Sequence, residues 1–527
     1  MPSWRCLVAV ALAAVPLATS SAAAQRRPPL AQLKREVAAE AASLQKLTQE
    51  MTDMIFSFSE LGFQELWTSQ YITETLKKEG FRIEMGVAGM PTGYVASWGS
   101  GKPSIGFMAD IDGLPETSQK PGVAYEAPLI PGGPGHGEGH NAGQALQVTA
   151  AIAVKRIMEK YKIPGELRVY PGVAEELVAS RTYMVMAGLF KDLDVMLSAH
   201  VDNEFETSWG VRGSGLVSTM YAFHGRTAHG AGSPWAGRSA LDAVELMNVG
   251  WNYRREHLRL QQRSHYVIMN GGSQPNVVPG EAVVWYYFRE LDYDRIRQLH
   301  ELGTTMANAA AMMTETTVEQ RVLGSAWPAH FNRPLARRAF ENIRAVGYPT
   351  WTAADVALAK AAQRELGADT IGLRTAVQAD TAPQSQQGTG GGSDDIAEVS
   401  WNLPTINLRY PANIPGMTGH HWSAGIAMAT PVAHKGANHG ARAQAMTAID
   451  LLADPALLPE AWRYFREVQT KDRTWVSLIP EGTAPPTFLN EERMARFRPA
   501  LETLKYDPSR YRTYLEQLGI EYPTVKK

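Results

Sequence analysis

Ser104-Ile105-Gly106-Phe107-Met108-Ala109-Asp110-Ile111-Asp112 is the stretch on which the fold turns. A short run of small and apolar residues suits a strand buried on both faces, and it ends in carboxylates. The pattern recurs twice. Glu166-Leu167-Arg168-Val169-Tyr170 leads toward Glu175-Glu176, and Asp194-Val195-Met196-Leu197-Ser198-Ala199 ends at His200. Between the first two runs, residues 142–162 form a long Ala-rich helical stretch. Strand and helix in alternation predict an α/β domain with a mainly parallel sheet. Ligands of such sheets gather outside the carboxyl ends of the strands, which is where the polar residues stand here.

Working outward, residues 30–79 carry helix-compatible apolar spacing that stops at Gly80. From about Gly213 the texture changes. Residues 216–223 and 283–288 read as strands, and residues 239–257 and 293–313 as helices, which predicts an α+β module inserted into the first domain. Residues 403–408 read as a return to the main sheet, followed by a helix over 436–452. The Gln/Gly/Ser-rich stretch 381–392 reads as a flexible loop, and the Pro-containing tail after Asp472 carries no functional signal. The expected organisation is a signal peptide over 1–24, a catalytic domain over 25–212 and 326–472, an inserted domain over 213–325, and a C-terminal extension over 473–527. There is no internal repeat, heptad run, phosphate-cradling loop or basic stripe.

A chain of 527 residues with 44% hydrophobic and 20% charged composition excludes disordered, collagen-like and coiled-coil classes, and its length favours more than one domain. Fifty-one basic against 53 acidic residues leave a net charge of −2, so no global field favours nucleic acid or an anionic membrane. A small neutral or anionic ligand fits better. Arg5, the apolar residues 6–17 and Ala22-Ala23-Ala24 have the layout of an export signal cleaved before Gln25, shorter than the ~20 residues of a membrane span. Cys6 is the sole cysteine, so the mature chain is expected to hold no thiol and no membrane span. That excludes disulfides, thiolate nucleophiles and Cys-ligated metal, and it suits a periplasmic or secreted enzyme.

The sharpest local signal is Pro134-Gly135-His136-Gly137-Glu138-Gly139-His140-Asn141, a glycine-rich loop directly before a helix. Residues two apart in an extended segment point to one side, so Glu138 and His140 can converge on one cation. A solvated loop reads the same way in isolation. Glu175-Glu176 stands at a strand end, where one carboxylate can bind metal while its neighbour stays free as a base, or where both simply open a helix. His200 and His420 each follow a probable strand. Together Glu138, His140, Glu176, His200 and His420 place imidazoles and carboxylates at one edge of one inferred sheet, a mix that suits a pair of zinc or manganese ions.

These residues resemble the dinuclear metallohydrolase clan that includes aminobenzoyl-glutamate hydrolases, indole-acetyl-amino-acid hydrolases and aminoacylases. The similarity spans about residues 35–470. It rests on the order and spacing of Ala109-Asp110-Ile111-Asp112-Gly113-Leu114-Pro115, the loop ending at Asn141, Ala174-Glu175-Glu176 and Ala199-His200-Val201. In the inserted module it rests on Phe223-His224-Gly225-Arg226-Thr227-Ala228-His229, Gly237-Arg238-Ser239-Ala240-Leu241-Asp242-Ala243 and Gly271-Gly272-Ser273-Gln274-Pro275-Asn276-Val277-Val278-Pro279. Gly392-Ser393-Asp394-Asp395, His420-His421-Trp422 and His434-Lys435-Gly436 complete it.

The resemblance implies that His140, Glu176, His200 and His420 are metal ligands and Glu175 the general base. It also implies that the inserted module dimerises the chain and lends His229 to the partner's active site. One departure stands out: relatives of this type usually carry cysteine where this chain has Glu138, which more distant members match with a bridging carboxylate. A hard oxygen ligand there favours manganese or zinc over softer ions.

The expected activity is an exported amidohydrolase, a homodimer with two divalent ions per subunit, acting on N-acyl or N-aroyl amino acids. Asp112 is expected to orient a ligand histidine, unless it only caps its turn. Asn276 and Arg289 are expected to hold the substrate carboxylate, with a surface arginine as the alternative for Arg289. A dipeptidase or carboxypeptidase with the same machinery, and a metal-holding binding protein without turnover, are the rival readings. Retention of Glu175 and His229, neither needed merely to hold metal, disfavours the last.

Overall fold

The computed structural model describes residues 1–2, 28–377 and 391–526. The signal-peptide reading, and the loop reading up to residue 390, lie outside the described residues.

The Ser104–Asp110 strand is buried along its whole length. It lies at the centre of a seven-stranded sheet, between parallel neighbours Gly165–Gly172 and Val195–Asp202, with Thr405–Pro411 parallel beyond the latter. Each fully buried Ile105 or Phe107 side chain contributes about 1.5–3 kcal/mol of apolar burial. Antiparallel strands Arg82–Met85 and Tyr94–Ser100 extend one edge, and the short Glu206–Thr207 closes the other. Parallel register sets Asp110 beside Gly172 and Arg409 beside His200, so the carboxyl ends that carry the polar residues align. Helices His140–Tyr161 and Pro431–Ala453 are buried along most of their Ala-rich length, because small side chains let them lie close to the sheet and to each other.

The helical texture of residues 30–79 is not one helix. It breaks into Leu30–Ser43, Gln45–Phe58 and Leu66–Lys78, with Ser59 left-handed at φ 45°. The break is held by buried Glu60, whose carboxylate accepts from the Thr68 and Trp67 amides at 2.9 and 3.2 Å. Gly62 follows, backed so tightly on Ala174 that a Cβ would sit 2.8 Å from its Cα. The first helices are thereby fastened to the turn that carries Glu175.

A second, antiparallel sheet has the order Thr317–Ala326, Gly215–His224, Glu281–Glu290, Arg263–Asn270. Its pleat sends Ala282, Val284, Tyr286 and Phe288 under helices Ala240–Arg254 and Tyr293–Thr314, where the Trp251 and Phe288 rings meet edge-on at 4.9 Å. Trp285, Tyr287 and Arg289 alternate onto the other face. There the Tyr287 hydroxyl donates to the Leu177 carbonyl of the first domain at 3.4 Å. Two strands of this sheet, Arg263–Asn270 and Thr317–Ala326, have no counterpart among the strands expected from sequence. The former is an edge strand exposed over most of its length, and the latter is exposed over its first half and buried only from Val322 to Ala326, so neither is buried end to end. A two-stranded ribbon of Gly210–Arg212 and Ala329–Phe331 marks where the chain leaves the first domain and returns.

The C-terminal segment crosses that junction. Arg473 pairs with Asp294 of the inserted domain at 2.8 Å, and Ile479 packs with Tyr183, Val217, Ile296 and Val322 from both domains. Further on, Arg498 meets Glu60 at 2.6 Å, and the Thr524 carbonyl accepts from the Ala124 amide at 2.9 Å. No described helix is long and apolar enough to cross a membrane.

Candidate active site

Glu138 precedes helix His140–Tyr161 by two residues, and Gly139 between them is left-handed at φ 118°. A Cβ at Gly139 would lie 2.3 Å from the Met428 sulfur, so only glycine fits this turn. It aims Glu138 and His140 into the space above the strand ends. Glu175 and Glu176 come from a short turn flanked by left-handed Ala174 and Val178, and His420 is left-handed as well. Three non-glycine residues held in this region, one of them β-branched, are costly and mark a site whose surroundings fix its backbone.

The carboxylates and imidazoles converge. Glu138 Oε1 lies 3.2 Å from His200 Nε2, and its Oε2 lies 3.1 Å from His420 Nε2. Glu176 Oε2 is 3.4 Å from His420 Nε2, and Glu176 Oε1 is 3.8 Å from His140 Nδ1. Asp112 stands behind His140, with its carbonyl 3.1 Å and its Oδ1 3.3 Å from Nδ1, which turns Nε2 toward Glu175 and Asp110. The Asp112 side chain also accepts the Glu176 amide at 3.1 Å, so one carboxylate orients both groups. Glu65 braces the same turn, accepting the Ala174 amide at 2.8 Å; burial, then the charge of Asp112, pushes its carboxyl up to about 8.

These donors fit divalent cations. His140 Nε2 is buried and has no hydrogen-bond partner, an orphaned nitrogen at the centre of the cluster. Among the described residues, four sets of ligand atoms lie within 4.8 Å of one another: Asp110, His140 and His200; Glu138, Glu176 and His420; His140, Glu175 and Glu176; Glu175, Asp394 and Asp395. Negative charge is in excess. Burial first, then the neighbouring Asp394 and Asp110, raises the Glu175 carboxyl well above its ordinary range; burial and Glu138 do the same to Glu176. Glu138 goes the other way: burial opposes its ionisation, but hydrogen bonds from His200 and His420 hold it well below the carboxylate range. A cation relieves this crowding, which is the local logic of an ion site.

Groups that sequence reasoning passed over complete the floor. Arg181 is fully buried and ion-paired to Asp110 and Asp395, with Asp394 at 3.2 Å. Burial opposes the ionisation of Asp110, but the Arg181 charge holds its carboxyl below the ordinary range, and the same guanidinium keeps the Asp394-Asp395 turn beside Glu175. Nothing near Arg181 in the sequence signals this, because its partners come from two distant segments.

Arg289 lines the cavity above the cluster, with its guanidinium 2.9 Å from Ser393 Oγ. His229 and Asn276 do not reach it. They neighbour each other on the exposed tip of the inserted domain, where His229 Nδ1 accepts the Gly232 amide at 3.0 Å and the Asn276 carbonyl accepts the Gly230 amide at 2.8 Å. Arg289 and Asn276, expected to act together, are therefore separated within one chain.

The peptidase dimerisation domain model matches residues 212–313. Over 459 residues the chain is 32% identical to a component polypeptide of the p-aminobenzoyl-glutamate hydrolase of Escherichia coli, covering 83% of this chain and 95% of that protein. It is 25% identical over 446 residues to Xaa-Arg dipeptidase of Mus musculus, covering 82% and 92%. The solved aminobenzoyl-glutamate utilization protein from Klebsiella pneumoniae shares the fold at 15% identity and a TM-score of 0.52, covering 80% of this chain and 98% of its own. By this match across nearly the whole of a relative, the chain is a hydrolase and belongs to the M20 family of metallopeptidases and amidohydrolases.

Proposed function

We propose that this chain is a metal-dependent amidohydrolase that cleaves the amide of an N-acyl or N-aroyl amino acid, releasing an acid and a free amino acid. The observation that carries the reading is Glu138, one oxygen on His200 and the other on His420, with Glu175 beside the cluster and no histidine of its own at hydrogen-bond distance. Glu138, His140, Glu176, His200 and His420 would hold two divalent ions, zinc or manganese. Such ions supply Lewis acidity, which lets water ionise near neutrality and polarises a carbonyl. Glu175 takes the proton of the attacking water and returns it to the nitrogen of the leaving amine. Asp112 holds the His140 ring, and Arg289 with Ser393 holds a substrate carboxylate.

The second reading, a dipeptidase, draws on the likeness to the Xaa-Arg dipeptidase. Both are tested by release of free amine from N-acyl amino acids and dipeptides. Chelator dialysis should abolish it, and zinc or manganese should restore it. Full activity in protein shown to be metal-free would sink the mechanism.

The assembly belongs to the same proposal. Edge strand Arg263–Asn270 exposes Val267, Ile268 and Met269, and helix Ala240–Arg254 of the same domain exposes Leu246, Val249 and Tyr253. An unpaired strand edge and an exposed apolar helix face in one domain suit a two-fold partner. In the dimer His229 and Asn276 serve the partner's cavity, where His229 donates a hydrogen bond to the substrate carbonyl oxygen. Mixing inactive His229→Ala with inactive Glu175→Gln protein should return about a quarter of wild-type activity after random re-pairing, since half the dimers then carry one intact site. Demonstrated exchange without recovery refutes the action in trans. Export to the periplasm or medium completes the reading, supported by the amino-terminal sequence alone.

A further inference from the structure

The cavity above the carboxylate–imidazole cluster has a volume of about 620 Å³, enough for a small organic ligand. Three guanidiniums line it: Arg212 from the ribbon strand Gly210–Arg212, Arg289 from the inserted domain and Arg409 from the central sheet. All three are half-buried. Among the described residues, none has a carboxylate within ion-pairing distance, whereas buried Arg181 has three. Arg212 Nη1 and Arg289 Nε are buried with no hydrogen-bond partner. Among the described residues the Arg409 side chain has one hydrogen-bond partner, the His200 ring, at 2.6 Å from Nδ1. Burial lowers the proton affinity of Arg212, and the charge of Arg409 adds to this; Glu206 and Asp202 oppose it from beyond contact distance.

Cations removed from water without a counter-ion are costly, so their retention around a cavity points to an anion that arrives with the ligand. One carboxylate is met by Arg289 and Ser393. That leaves Arg212 and Arg409, two like charges near each other, which Glu206 and Asp202 offset only from beyond ion-pairing distance.

We propose that Arg212 and Arg409 form a second anion subsite, so that the preferred substrate carries two carboxylates besides the scissile amide. This rests on the amidohydrolase reading and deepens it. The second carboxylate belongs either to an acidic amino acid or to a dicarboxylic acyl group. Because the three arginines come from the ribbon, the inserted domain and the sheet, a doubly anionic substrate also ties the two domains together across the cavity.

Two measurements test the subsite. In the first, kcat/KM is compared for N-benzoyl-glutamate against N-benzoyl-glutamine, and for N-succinyl-leucine against N-succinamoyl-leucine. Each pair differs by one charge at nearly constant shape, and the first places it on the amino acid, the second on the acyl group. A preference of roughly 10–10²-fold for the diacid is expected in one pair, the worth of one charge-assisted contact. It should fall toward unity in Arg212→Met through a raised KM, and return in part in Arg212→Lys. The second measurement needs no turnover: calorimetry of glutarate against butyrate on the metal-loaded protein, wild type and Arg212→Met. If no acyl amino acid or dipeptide is cleaved, the functional reading fails while glutarate binding still reads the subsite. If glutarate binds no tighter than butyrate, or Arg212→Met leaves the difference intact, the subsite is refuted.

Discussion

Glu175→Gln is expected to lower kcat by roughly 10²–10⁴, the worth of general acid–base catalysis, with the content of bound metal unchanged. The proposed ligands Glu138 and Glu176 approach histidines more closely than Glu175 does. Its nearest imidazole atom is His140 Nε2 at 3.8 Å, while Glu176 lies 3.4 Å from His420 and Glu138 lies within 3.2 Å of two histidines. Glutamine is nearly isosteric and neutral. Since burial and the nearby Asp394 and Asp110 already disfavour the charged form of Glu175, the substitution should not unsettle the fold. Metal analysis alongside steady-state kinetics decides the case. A variant that loses metal means that the roles of Glu175 and Glu176 are exchanged.

Glu138→Ala is expected to lose at least one metal ion and most activity, because it removes the carboxylate that spans His200 and His420. Without it, the two imidazoles face each other across the position where a shared ligand is needed. Glu138→Cys should keep part of the activity and become sensitive to peroxide, since a thiolate can ligate zinc but is oxidised out of coordination. A chain whose lone cysteine lies at position 6 has no other thiol in the catalytic region to confuse that readout. Metal stoichiometry with turnover in the three proteins is the measurement. If Glu138→Ala retains both ions and wild-type turnover, the bridging role must be abandoned.

The two experiments probe opposite ends of one electrostatic arrangement. Glu138 is held ionised by two histidines, whereas Glu175 is pressed toward its protonated form by burial and by acids around it. Carboxylates of unlike proton affinity in one cavity can divide the work, one holding charge and the other moving a proton. The acids that set the environment of Glu175 are themselves fixed by Arg181, so the proposed proton-transfer group depends on a guanidinium that is paired with none of the proposed ligands.

By itself the sequence determined the parts whose signal is local. A run such as Ile105 to Ala109 is buried on both faces, so its apolar character alone identifies a central strand, and the carboxylates and histidines at the strand ends mark the edge where ligands collect. The glycine-flanked Glu138 and His140, the Glu175-Glu176 pair, His200 and His420 are legible for that reason, and the structure brings all of them together. Only the tertiary structure decided what depends on register and on packing between distant segments. It broke one helical texture into three helices, at Leu44 and at Ser59, the second break because buried Glu60 has to meet the amides of the third helix. It revealed the strands Arg263–Asn270 and Thr317–Ala326, which are exposed over most and half of their lengths and so are not buried end to end as a central strand is. It separated Arg289 from Asn276 through the pleat of one strand and the reach of one loop. Most of all, it joined Arg181 to Asp110 and Asp395, and set Arg212 near Arg409. A charged side chain reads as solvent-facing in sequence, and only the fold shows which charges it has taken out of water and what it has placed beside them.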